Sequence, residues 1–216
     1  MAYFVLPLIM LLLVPTISSD PDSLQDFCVA DTKSSTVFIN GFPCMNPNYA
    51  TAKDFTTSIL SNQGNTSGNL FGASVVFTTP QVLPGINTLG VVFARVDVGV
   101  GGEVPPHTHP RASEIVFVLQ GNLTVGFVDT TNKLFSADIK TGDVFLFPKA
   151  LIHFVQNTGD TTASLIGAFN SQAPGAQIIP LALFASNPAI PNEVLAKAFQ
   201  INAYEVDTIR KNLGGT

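Results

Sequence analysis

The chain has 216 residues, 46% hydrophobic and only 12% charged, with ten basic against fifteen acidic side chains and a formal net charge of -5. That balance, with no basic tract, excludes nucleic acid and anionic membrane surfaces as natural partners. A chain of this length forms one domain with a substantial core.

Residues 1–19 carry no charged side chain, and residues 4–14 are almost continuously apolar. The run is too short to span a bilayer comfortably and ends in small residues (Thr16, Ser18, Ser19). It reads as a secretory signal peptide, with residues 20–216 as the single mature domain. Export makes Cys28 and Cys44, the only cysteines, an expected disulfide, worth about 3 kcal/mol on a chain-entropy estimate. Residues 45–85 read as irregular chain with short strands. Asn65-Thr66-Ser67 is a glycosylation acceptor between Gly64 and Gly68, and Asn122-Leu123-Thr124 is a second, in the turn after Gly121.

A dense series of short Val-, Ile- and Phe-rich segments follows, at 89–98, 114–120, 123–129, 133–139, 143–147, 153–156 and 163–168. Punctuated by Gly, Pro and Asp or Asn, with no room for crossover helices, they predict an all-β domain, closed or sandwiched. Several are apolar on both faces, so the outer face also needs covering, by another sheet or another subunit. Two short helices close the chain. One runs over 192–200; the next opens at Asn202 with Glu205 in capping-box position and carries a Val206, Ile209, Leu213 stripe.

All three histidines lie between Gly101 and Asn157. His107 and His109 are one residue apart, so an extended segment points them the same way, while Glu114 heads one strand and His153 sits in another. A carboxylate above buried Val116 and Val118 is costly without a partner, and a cation supplies one. Three imidazoles and a carboxylate suit manganese, iron, cobalt, nickel or zinc.

These residues carry a resemblance. The spacing from Gly101 through His107, Thr108, His109 and Glu114 to Gly121, and from Gly142 through Pro148, Leu151, Ile152 and His153 to Asn157, is similar to the two signature boxes of germin-like proteins in the cupin superfamily. Where the family has glycine before the second box's histidine, this chain has Ala150, which asks for a non-glycine backbone angle. The resemblance implies a cupin jelly-roll β-barrel with a disulfide-tethered N-terminal excursion and two C-terminal helices that clasp neighbours into a homohexamer. It also implies Mn2+ as cofactor and a secreted location in the plant apoplast or cell wall. His107, His109, Glu114 and His153 would be the metal ligands, with no separate catalytic residue and with Asn157 a candidate behind them.

The expected activity is manganese-dependent superoxide dismutation on a small anion, with the metal as redox agent. The alternative is a non-catalytic receptor or binding role for an auxin-like aromatic acid, as in the auxin-binding subgroup of germin-like proteins. Oxalate oxidation is expected to be weak, because the cavity positions where oxalate oxidases carry asparagines are Ala94 and Val104, which offer no donor to a dianion. Nothing near the ligands resembles the phosphate-binding loop or basic cluster that a nucleotide-sugar pyrophosphatase would need.

Overall fold

Among the described residues, alternating apolar side chains drive ten short strands into two antiparallel sheets. They are β1 (Ala73–Phe77), β2 (Val92–Val98), β3 (Glu103–Thr108), β4 (Glu114–Gln120), β5 (Asn122–Val128), β6 (Leu134–Lys140), β7 (Val144–Phe147), β8 (Ile152–Asn157), β9 (Ala163–Phe169) and β10 (Gln177–Ile178). The strand orders are β1-β2-β9-β4-β7 and β10-β3-β8-β5-β6. The computed structural model describes residues 25–33 and 41–215, so the expected leader and its cleavage point lie outside the described residues.

The inner faces of the two sheets meet in one core. Val96, Val116, Val118 and Leu165 come from the first sheet, and Leu123, Val125 and Val155 from the second, all buried together. Each such side chain contributes on the order of 1.5–3 kcal/mol when fully removed from water. The first sheet's outer face stays apolar and exposed. Phe93, Ile115 and Leu146 form one row across the strands, with Phe117 and Val144 in the row beside it, each about half exposed.

The N-terminal part is stapled to this frame. Cys28 and Cys44 form a disulfide with Cα atoms 4.8 Å apart, and the buried Asn87 amide donates to Phe42 O at 2.8 Å. Between this staple and β2 the chain makes three single turns of 3-10 helix and the edge strand β1.

Three helices follow β10: α1 (Ile179–Phe184), α2 (Asn192–Phe199) and α3 (Ala203–Asn212). The first was not expected. At α3, Asn202 Oδ1 accepts from Glu205 N at 3.0 Å and Glu205 accepts back from Asn202 N at 2.8 Å, which is the capping box read from the sequence. Phe184, Leu195 and Val206, one from each helix, form a core of their own. No described helix is long and apolar enough to cross a membrane. The fold is thus a mixed β-sheet and short-helix, cupin-type arrangement.

Candidate metal centre

In β3 the two prolines, Pro105 and Pro106, interrupt the ladder with β8: Val104 faces Val155, but three residues on His107 already faces His153, two residues back from Val155. Proline has no N–H to donate, so the extra residue is accommodated as a bulge. Beyond it, His107 and His153 stand directly opposite, with ring centroids 4.1 Å apart. His109 lies just past the end of β3. Glu114 reaches in from the other sheet, on β4 between Phe147 of β7 and Phe169 of β9. The site therefore draws on both sheets, and His107, His109, Glu114 and His153 bring their ligand atoms within 4.8 Å of one another, all buried.

The chemistry of these atoms decides what they can hold. His107 Nδ1 donates to Pro105 O at 2.9 Å, His153 Nδ1 to Leu151 O at 2.8 Å, and His109 Nδ1 to Gly175 O. A carbonyl oxygen only accepts, so each neutral ring must carry its proton on Nδ1 and turn the Nε2 lone pair inward. Glu114 Oε2 is 3.4 Å from His109 Nε2 and 3.3 Å from His153 Nε2. His153 Nε2 is buried and, despite that proximity, has no hydrogen-bond partner. Four converging acceptors with no donor among them fit a cation. No thiolate is present, so nitrogen- and oxygen-preferring divalent ions such as manganese match the set.

The electrostatics agree. Burial, followed by repulsion from His153 and His109, holds His107 at a pKa of about 3, with the Pro105 bond and Glu114's charge only partly offsetting. His107 thus stays neutral, as a ligand must. Burial pushes the Glu114 carboxyl up, but its closeness to the His109 and His153 rings outweighs this and brings the group to about 2, so it stays the anionic member of the cluster.

Above the ligands lies a cavity of about 130 Å³, walled by Phe77, Ala94, Val104, Val155, Leu165 and Phe169. Ala94 and Val104 sit on this wall and contribute no donor. The volume is well below the roughly 300–1,000 Å³ of pockets for drug-sized ligands. The cavity's size and apolar walls suit a small carboxylate. Phe147 stacks on His153 at 4.4 Å, fixing that ring from behind.

Asn157 does not lie behind the ligands. Its amide donates to Val98 O, Gly99 O and Thr161 O at 2.8–3.0 Å and its Oδ1 accepts from Gly159 N, so it pins the turns at the opposite end of β8. Ala150 also differs from expectation. Its φ is +63°, so the turn keeps the left-handed angle that glycine usually supplies, and Ala150 N donates to His109 O at 3.2 Å. Asn65 and Asn122 are both exposed.

Two residues that the sequence reading missed shape the site. Gly167 on β9 pairs with Val116, two residues along β4 from Glu114 and on the same face, and a Cβ there would lie 2.6 Å from Glu114 Oε1. A glycine inside a strand is a readable signal of close approach. Gly175 acts through its carbonyl, which no side-chain pattern reports.

The cupin family model matches residues 58–207. Germin-like protein 5-1 of Oryza sativa subsp. japonica is 50% identical over 206 residues, 95% of this chain and 91% of that protein. This chain is a germin-like protein of the cupin family. Germin-like protein subfamily 2 member 1 of Arabidopsis thaliana is likewise 50% identical, over 94% of each chain. Among solved structures, a recombinant oxalate oxidase in complex with glycolate superposes on this germin-like protein with a TM-score of 0.88 and 42% identity, over 92% of this chain and all of the other.

That match overturns the expected superoxide dismutase activity. The whole-chain structural counterpart is an oxidase of a two-carbon acid, captured with another two-carbon acid. The non-catalytic aromatic-acid binding role falls too, because the matched structure is that of an oxidoreductase.

Proposed function

We propose that this germin-like protein is an extracellular, manganese-dependent oxidoreductase that oxidises a small carboxylate, oxalate being the first candidate. The carrying observation is the cluster of four buried acceptor atoms on the floor of a small apolar cavity. The likeness to an oxalate oxidase supports the substrate class.

A divalent, redox-capable ion held by His107, His109, Glu114 and His153 would supply Lewis acidity for a substrate carboxylate and a route for electrons. The chain's own part is positioning and exclusion. The three Nδ1–H···O=C bonds fix the rings, and the apolar walls keep bulk water from the anion, which strengthens its attraction to the ion. Because Ala94 and Val104 give no donor, the ion carries most of that attraction. Conversion of oxalate to two carbon dioxide molecules breaks the C–C bond and releases two electrons, which dioxygen accepts with two protons as hydrogen peroxide. The test is oxygen uptake by manganese-loaded protein given oxalate, with glycolate as competitor. Uptake that stops on chelation and in His109→Ala supports the reading, and absence of uptake and of carbon dioxide release at any metal loading sinks it.

The finer architecture belongs to the same proposal. Residues 1–19 act as an export signal, and residues 20–216 form one cupin domain whose sheets close as a jelly-roll barrel. The disulfide fits an oxidising, apoplastic compartment. The exposed apolar rows on the first sheet support assembly into an oligomer, for which a hexamer is the expected size. Exposure of Asn65 and Asn122 is compatible with glycan attachment.

A further inference from the structure

The three histidines are not held alike. His107 and His153 each donate to a carbonyl two residues back in sequence, Pro105 within β3 and Leu151 at the entry to β8, so local chain geometry already forms the bond. His109 donates to Gly175 O, 66 residues away in sequence. Its ring orientation therefore depends on the segment at residues 170–176, which leaves β9 and leads into β10.

Arg111 ties that segment down. Its backbone N–H donates to Pro174 O at 3.1 Å, and its Nε donates to Ala173 O at 2.5 Å. Its guanidinium also covers Gly175, where a Cβ would lie 3.0 Å from Nη2 and 3.2 Å from Cζ, and Gly175 has φ +71°. The carbonyl that orients His109 is thus flanked on its N-terminal side by two Arg111 bonds and overlaid by the same side chain. On its C-terminal side, Gln177 and Ile178 pair with Thr108 and His107.

We propose that Arg111 is a positioning residue for the metal centre, setting the His109 imidazole through the backbone of residues 173–175 and so governing how tightly the site retains its ion. This rests on the four-ligand metal reading and is independent of which substrate is oxidised. Outer partners of metal-ligating histidines are typically worth about 10–100-fold in affinity, and Arg111, acting one bond further out, belongs near the ten-fold end.

The test is Mn2+ affinity by chelator competition, with the ion's paramagnetic resonance spectrum recorded alongside, for wild type, Arg111→Ala and Arg111→Lys. Gln120→Ala is the control, because it deletes a similar side-chain bond, to Thr162 O at 3.2 Å, at the far end of β4. Arg111→Ala is expected to bind about ten-fold more weakly with an altered spectrum. Arg111→Lys, which keeps the charge and one donor but loses the planar fork, should fall between, and Gln120→Ala should match wild type. Wild-type affinity and spectrum in Arg111→Ala overturn the proposal. If that variant does not fold, the same wild-type values in Arg111→Lys overturn it. Failure of wild type itself to bind Mn2+ would remove the metal reading and this proposal together, whereas normal metal binding without oxalate turnover would remove only the proposed activity.

Discussion

Replacing Gly167 with alanine should separate metal binding from folding. The added Cβ would sit 2.6 Å from Glu114 Oε1 and 3.1 Å from Phe169 Cε2, whereas ordinary contact begins near 3.4 Å. The cheapest relief is a shift of the carboxylate tip by roughly 0.8 Å, since Glu114 ends in a rotatable group and the sheet backbone does not. The oxygen nearest the histidines is Oε2, which moves with Oε1 as one rigid carboxylate, and because ligand distances tolerate only about 0.2 Å, that shift removes it as a ligand. We expect Mn2+ affinity to fall by about 100-fold or more, equivalent to about 2.7 kcal/mol. The crowding itself should cost about 1–3 kcal/mol of stability, a few degrees in the melting temperature of a domain this size. Chelator competition and thermal melting of the metal-free protein read the two effects separately. Gly126→Ala provides the comparison, since its Cβ would crowd Phe154 and Ser136 at 3.0 Å, away from the ligands. A folded Gly167→Ala protein that binds Mn2+ within two-fold of wild type would refute the reasoning.

Ala150→Gly should raise stability by about 0.5–1 kcal/mol, because alanine at φ +63° bears a steric cost that glycine lacks; a lower melting temperature would contradict this. Asn157→Ala should cost about 3 kcal/mol by orphaning several buried backbone groups, with Mn2+ affinity unchanged in protein that remains folded. The metal-free protein should lose stability on acidification. With His107 held near 3 against an ordinary 6.5, the unfolded chain takes up a proton that the fold refuses, so stability falls as pH drops from about 6.5 to 3. Glu114, near 2 against 4.5, has the same sign and extends the loss from about 4.5 to 2. A melting temperature that stays flat between pH 6.5 and 4 would count against His107 being buried neutral.

The four-residue cluster was legible because its signal lies in residue type. Histidine and glutamate in apolar strands have few uses, and the α3 cap is written in Asn202 and Glu205. What holds the ligands was not legible, since Pro105, Leu151 and Gly175 act through carbonyl oxygens that every residue possesses. Helix α1 escaped notice because Ile179–Phe184 is apolar throughout, contains Pro180 and has no side-chain N-cap. At Ala150 residue type argued for an ordinary angle, and the turn between β7 and β8 imposed the left-handed one. The activity was misread for a related reason. Ala94 and Val104 do line the cavity, but missing donors argue against oxalate only if its second carboxylate must be bound at those positions. Residue identity does not say where that group lies relative to the ion.

The central claim is that a small carboxylate docks on an ion held by His107, His109, Glu114 and His153. The most direct measurement is a titration of oxalate into the manganese-loaded protein, followed by the paramagnetic resonance spectrum of the ion under anaerobic conditions. The account predicts a saturable change of the spectrum with one carboxylate per chain, competed by glycolate and absent from a Glu114→Ala protein that has lost the ion. A spectrum indifferent to saturating oxalate in fully loaded protein would contradict it.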